Sequence, residues 1–339
     1  MNKIIHLPTD ARQELFETAA AERGLHPAIM EKDFWVCWVL KQLFLSPSLK
    51  EHLVFKGGTS LSKVDGMIER FSEDIDLVLN WELLGYGPEG EDAWQEHPSG
   101  RQQDRFNREV NARAAAYLSG ELLPHLQEIL SDDPGVETAL SDREELTINI
   151  RYPASLTLAA LRPEVKLEIG PLASRVPSRS VTIRPYVAEV LPQFFENPNC
   201  EVIAIRGERT FWEKATILHQ QAHRKTEIPR GYSRHYYDLV RMAQFPVKDH
   251  ALADLPLLQD VIRFKEKFYR APAARYELAV PGSFRLLPTD QGSKELESDY
   301  SRMRPMFFSE PPAWDALLGE LRGLENEINQ LASSLSPKR

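Results

Sequence analysis

Cysteine is nearly absent: Cys37 and Cys200 are the only two in 339 residues, and Cys37 sits inside an apolar run from Phe34 to Leu40. Two cysteines make no disulfide framework, which points to a reducing, intracellular compartment. Long hydrophobic runs are missing too. The Phe34–Leu40 run has seven residues, whereas crossing a bilayer takes roughly 20. The stretch from Met1 to Asp10 turns polar too early for a signal peptide. Neither secretion nor a membrane partner is expected, and the location expected is cytoplasmic. Positive charge is in deficit as well, with 41 Lys and Arg against 50 Asp and Glu, a net charge of −9. Lys and Arg on phosphates supply most of the affinity for duplex DNA, so double-stranded DNA is not expected as a partner. A local basic patch can still hold a nucleotide or an RNA end.

What is there fits an ordinary globular chain, 42% hydrophobic and 27% charged. At roughly 100–200 residues per domain, two domains are expected. Residues 10–23 and 28–45 read as amphipathic helices. His52-Leu53-Val54-Phe55 stops at Gly57-Gly58 and reads as a buried strand, after which Thr59 is placed to cap a short helix running to Ile68. A second strand is predicted from Asp74 to Leu79. Residues 85–145 carry 14 acidic and 5 basic side chains and read as an acidic insertion with a solvated helix at about 104–130. Thr147–Tyr152 and Val165–Ile169 alternate polar with apolar, as neighbouring half-buried strands do. The turn-rich 195–199 stretch marks a domain boundary, with a core over 1–200 and a mainly helical domain over 201–339. Near the end, Leu317, Leu321, Leu324, Ile328, Leu331 and Leu335 share one helix face. The run is under three heptads, so a helix docking on its own domain is favoured over a coiled coil.

Two motif matches fail on context. Gly85-Tyr86-Gly87-Pro88-Glu89-Gly90 has the letters of a dinucleotide fingerprint but opens an acidic loop. His219 and His223 have zincin spacing, but Gln220 stands where the general-base Glu belongs, so a surface histidine pair is the better reading. No Walker A sequence occurs.

A third constellation holds together. It runs from Lys56-Gly57-Gly58-Thr59-Ser60-Leu61-Ser62-Lys63 to Arg70-Phe71-Ser72-Glu73-Asp74-Ile75-Asp76-Leu77. Two glycines between a strand and a helix N-terminus let backbone N–H groups approach a phosphate. Asp74 and Asp76, two apart on a strand, project from one face. Paired carboxylates of this kind suit Mg²⁺, which keeps waters and bridges to substrate phosphates. Lys166 and Glu168 also share a strand face. Glu168 is a candidate third metal carboxylate and Lys166 a candidate phosphate contact, against the alternative of a plain solvated face.

This pattern resembles the DNA-polymerase-beta-like nucleotidyltransferase superfamily, and within it the AbiEii family of toxin–antitoxin nucleotidyltransferases and the related MenT-type toxins. Thr210-Phe211-Trp212-Glu213-Lys214-Ala215 and Arg234-His235-Tyr236-Tyr237-Asp238-Leu239 extend the resemblance, which covers roughly residues 28 to 330. The spacing departs from many members, with 15 residues between Gly58 and Asp74, and Glu73 is an extra acid beside the pair. The resemblance implies an α+β fold, with a nucleotidyltransferase core on a small mixed sheet followed by a helical domain. It implies catalytic roles for Asp74, Asp76, Lys214 and Asp238, with Asp74 and Asp76 binding the metal. It puts Gly57, Gly58, Thr59, Lys63 and Ser72 on the nucleotide. The cofactor implied is Mg²⁺, or Mn²⁺ in its place, with a nucleoside triphosphate as substrate and a co-encoded antitoxin as partner. The acceptor expected is RNA, a tRNA 3′ end, held by arginines interleaved with tyrosines between His223 and Arg241. Other readings use the same nucleotide site: a toxin or sensor that binds GTP or another triphosphate without transfer, or a kinase-like phosphotransferase acting on protein.

Overall fold

The computed structural model describes residues 1–131, 135–159, 161–224 and 228–335. Contacts divide the chain into two units, one of residues 1–65 and 71–205, the other of residues 66–70 and 206–339. The first unit runs past the 195–199 turn to Ile205, because the segment after that turn is a strand.

In the first unit helices α1 (Asn2–Ile5), α2 (Thr9–Arg23) and α3 (Pro27–Leu45) lead into β1 (Leu53–Lys56) and α4 (Gly57–Lys63). Next come β2 (Ile75–Leu79), α5 (Gly100–Tyr117), α6 (Leu123–Ile129) and the strands β3 (Glu137–Leu140), β4 (Thr147–Arg151), β5 (Glu164–Gly170) and β6 (Ser178–Ile183). The short α7 (Tyr186–Val190) precedes β7 (Cys200–Ile205). All seven strands form one mixed sheet in the order β3-β4-β5-β2-β1-β7-β6, larger than the small sheet expected. The centre of the sheet sets the site. β2 runs antiparallel to β1 and parallel to β5, and β4 and β5 are antiparallel neighbours. One sheet face carries Val54, Val78 and Ile205 as an apolar cluster.

Helix α3 is buried almost throughout, and not amphipathic as its sequence suggested: Phe34, Trp38, Leu40 and Leu43 have no exposed surface. Trp35 stacks on Tyr152 at 5.1 Å and meets Trp38 edge-on at 5.3 Å. Helix α5 buries Phe106, Val110 and Ala114 at helical spacing, with its charges outside.

The second unit is helical: α8 (Gly207–His223), α9 (Arg234–Ala243), α10 (Val247–Ala253), α11 (Leu255–Phe268), α12 (Asp290–Arg302) and α13 (Trp314–Leu335). Leu317, Leu321, Leu324 and Ile328 are buried, and α13 packs on α9, so this face docks within its own unit. No described helix is long and apolar enough to cross a membrane.

Candidate functional site

Strand β1 passes into α4 without a loop, since Lys56 ends the strand and Gly57 begins the helix. This switch puts Gly57 at φ +82°, the left-handed region that favours glycine. Space excludes a side chain as well. A Cβ on Gly57 would lie 1.7 Å from Asp76 Oδ2 and 2.5 Å from its Cγ. The first glycine of the motif is therefore shaped around the second aspartate. No side chain caps α4, so Thr59 is not the cap the sequence suggested. The Thr59 hydroxyl donates instead to the Asp74 carbonyl at 2.6 Å, tying the helix to the start of β2.

Asp76 lies in register with Lys56 on β1 and with Glu168 on β5. Sheet pairing thus brings Glu168 beside the aspartates across 92 residues of sequence, the difference between positions 76 and 168. Burial, then the charges of Glu73 and Asp76, push the Asp74 carboxyl up to about 6, while Lys166 and Lys32 pull it down. Partial burial, then Asp76 and Asp74, push Glu168 up to about 7, although its side chain still reaches solvent. A cluster of carboxylates that resist ionising together is an oxygen-donor set short of positive charge. Hard divalent cations fit such donors. Among the described residues, however, no three His, Cys, Asp or Glu side chains are gathered tightly enough to hold a metal ion. The set on offer is the aspartate pair, which suits an ion that fills its remaining positions with water and substrate oxygens. Glu168 stands beside this pair, in register with Asp76.

Other nominated residues are placed differently. Lys63 points away from the turn: it is buried, pairs with Asp33 at 2.8 Å and lies 3.5 Å above the Tyr186 ring centroid. Burial disfavours its charge, but Asp33 overrides that and holds the ammonium above the ordinary lysine range. It is a core ion pair, not a phosphate ligand. Lys166 is taken by Glu144, 2.7 Å from each carboxylate oxygen. Ser72 is half-buried just ahead of β2. Glu73, the extra acid, is bound by Lys32 at 3.0 Å. Lys56 is the cross-strand neighbour of Asp76, a placement that strand register alone reveals.

In the second unit Lys214 on α8 and Asp238 on α9 meet at 2.7 Å. Asp238 has no exposed surface and Lys214 only 8%, so the pair is buried. Arg234, on the same helix, is exposed, and the arginine on Asp238 comes from elsewhere in the unit. It is Arg70, whose Nε and Nη2 donate to Oδ1 and Oδ2 at 2.7 and 2.8 Å. Burial alone would raise the Asp238 carboxyl. Arg70 and Lys214 outweigh it and hold the group well below the usual carboxylate range. Arg70 was missed because its partner is 168 positions away.

His219 is fully buried, and the pair it forms with half-buried His223, ring centroids 4.7 Å apart, is not a surface one. His219 Nδ1 accepts from the Arg285 N–H and its Nε2 donates to the Arg275 carbonyl, both at 3.0 Å. Burial lowers it to about 4, so the ring is neutral and both nitrogens are occupied. Two of the three tyrosines of the expected RNA patch are also corrected, while Tyr232 is half-buried. Tyr236 and Tyr237 are 0% and 3% exposed, and the Tyr237 hydroxyl accepts from the Glu69 N–H at 3.2 Å, so neither ring is open to a base. Arg241 pairs with Glu69 at 2.9 Å. Arg230 is exposed, and Lys225 lies outside the described residues. Arg224 lines a polar cleft of about 900 Å³ with Lys294, Arg302, Thr289 and Gln221.

A family model described as nucleotidyl transferase AbiEii toxin, type IV TA system, matches residues 38–320. A comparison with curated proteins finds no match. Among solved structures the chain is similar to MenT4, nucleotidyltransferase toxin Rv2826c from Mycobacterium tuberculosis H37Rv, at 16% identity and a TM-score of 0.42. That match covers 93% of this chain and 98% of that one.

Proposed function

Since the chain belongs to the AbiEii nucleotidyltransferase toxin family, we propose that it transfers a nucleoside monophosphate from a nucleoside triphosphate to an RNA end, with Mg²⁺ or Mn²⁺ held by Asp74 and Asp76. Family membership also implies an antitoxin partner. The observation that carries the reading is the fit of Gly57 against Asp76. It makes the turn and the acid pair one structure, so a triphosphate laid on the turn meets carboxylates beside it.

In this reading the uncapped first turn of α4 presents N–H groups to phosphate oxygens. An ion held by Asp74 and Asp76 would neutralise phosphate charge and so favour in-line attack at the α-phosphate. Lys56, in register with Asp76 on the neighbouring strand, is placed to balance the acids. Within the second unit Lys214 and Asp238 act as a pair, Asp238 fixing the ammonium by its hydrogen bond. For the acceptor we favour the cleft bearing Arg224, Lys294 and Arg302, which also carries Glu295 and Asp299, because its cations suit the phosphates of a single strand. Pyrophosphate release tests the reading. The chain should release it from triphosphates only when RNA and a divalent ion are both present, and Asp76→Asn should release none. Binding of triphosphate without release would leave a sensor in place of a transferase.

A further inference from the structure

Helix α3 carries three consecutive charged residues in its buried stretch: Glu31, Lys32 and Asp33 are 1%, 1% and 6% exposed. A buried charge is costly unless paired and hydrogen-bonded, and each of the three holds a different segment. Glu31 accepts from the N–H groups of Ser155 and Leu156 and from the Ser155 hydroxyl. Asp33 accepts from the Tyr186 N–H at 2.6 Å and pairs with Lys63. Lys32 donates to Glu73 Oε2 at 3.0 Å, to the Arg162 carbonyl at 3.1 Å and to the Glu164 carbonyl. An ammonium has three N–H donors, and these three acceptors use them all.

The partners of Lys32 set it apart. Glu73 adjoins Asp74 at the start of β2, and Glu164 opens β5, the strand that carries Glu168. The two strands are parallel, with Ile75 opposite Leu167 and Asp76 opposite Glu168, so their starts lie at the same end of the sheet. One ammonium therefore ties both acid-bearing strands together at the end where the carboxylates stand. It also engages the Glu73 carboxylate, which would otherwise be a third acid next to Asp74.

Resting on the reading above, we propose that Lys32 is a positioning residue of the metal site: it touches neither ion nor nucleotide, but sets the spacing of β2 and β5 by holding Glu73 and the Glu164 carbonyl together. Neighbouring groups that orient metal ligands typically matter by 10–100-fold in affinity.

The test uses Mn²⁺ alone, titrated against the full chain and followed by electron paramagnetic resonance, with thermal melting alongside. Lys32→Met should weaken Mn²⁺ binding about tenfold. Glu73→Ala cuts the same tie from a half-buried position where truncation is tolerated, and covers the case in which Lys32→Met does not fold. It should weaken Mn²⁺ comparably, and the double variant should be no worse than either single one. Glu31→Gln, a change of equal burial whose partners are residues 155 and 156, should lower the melting temperature and leave Mn²⁺ affinity intact. The proposal is overturned if Glu73→Ala and any folded Lys32→Met bind like wild type while Asp76→Asn has lost the ion. Equal loss in Glu31→Gln would also overturn it, by making the effect one of general destabilisation. If Asp76→Asn itself binds Mn²⁺ as wild type does, the site reading fails and the inference falls with it.

Discussion

Gly57 and Asp76 occupy each other's space: the carboxylate Oδ2 stands 1.7 Å from the point where a Cβ on Gly57 would be. The two halves of the sequence motif, 19 positions apart, thus form one packed unit, with Gly57 also held at φ +82°. Gly57→Ala should remove activity by displacing the Asp76 carboxylate. It should also destabilise the protein, because a left-handed backbone alone costs a non-glycine residue about 1–2 kcal/mol. Denaturant melts and pyrophosphate release on the same preparation check both effects.

Asp74→Asn and Asp76→Asn should each abolish transfer while melting at or above the wild-type temperature without metal. The ionised Asp74 carboxylate is disfavoured by burial and by Glu73 and Asp76 beside it, so its removal relieves repulsion. Full activity in either variant would end the assignment of the pair to the metal.

The same crowding predicts a pH signature in the metal-free protein. Asp74 titrates at about 6 and Glu168 at about 7 in the fold, against roughly 4 for both in an unfolded chain. Between these values the folded state binds more protons than the unfolded one. The contribution of the two groups is therefore full below pH about 4 and lost as pH rises to about 7. Buried His219, lowered to about 4, works in the opposite sense over part of that window, so the total slope is mixed. The stability difference between wild type and an Asp74→Asn, Glu168→Gln double variant isolates the pair. Thermal melts in chelator should show the double variant gaining on wild type as pH rises from 4.5 to 7.5.

Asp238→Asn should destabilise strongly. Arg70 and Lys214 are 4% and 8% exposed, and removing the carboxylate charge they share leaves two buried cations without their counter-ion. Breaking a buried pair by removing one member costs about 3–5 kcal/mol. Urea titration should find a loss of this size, and a surface control such as Asp249→Asn should find almost none.

The local half of the site was legible because its chemistry is contiguous: a strand, two glycines and an alternating acid pair carry their geometry in their spacing. The pairing of Thr147–Tyr152 with Val165–Ile169 was legible for the same reason, from alternation alone. Side-chain direction was not. The sequence lists Lys63 four residues after Thr59, but only packing decides that it turns to Asp33 and Tyr186. Tyr236 and Tyr237 read as RNA-stacking rings from composition, although they fill the unit's own core. Strand β7 follows a turn-rich stretch and was missed, since six residues with one Glu carry little periodic signal. Contacts that close over long separations, Arg70 with Asp238 and Lys32 with Glu73 and Glu164, leave no local pattern at all.

Which phosphate of the substrate moves is the most direct test of the account. The chain should be incubated with cellular RNA, Mg²⁺ and each nucleoside triphosphate, labelled in parallel at the α- or the γ-phosphate, and the products separated on a denaturing gel. The account predicts that α-label enters RNA while γ-label leaves as pyrophosphate, and that Asp76→Asn does neither. γ-Label on protein, or no label on any acceptor with every triphosphate, would contradict it.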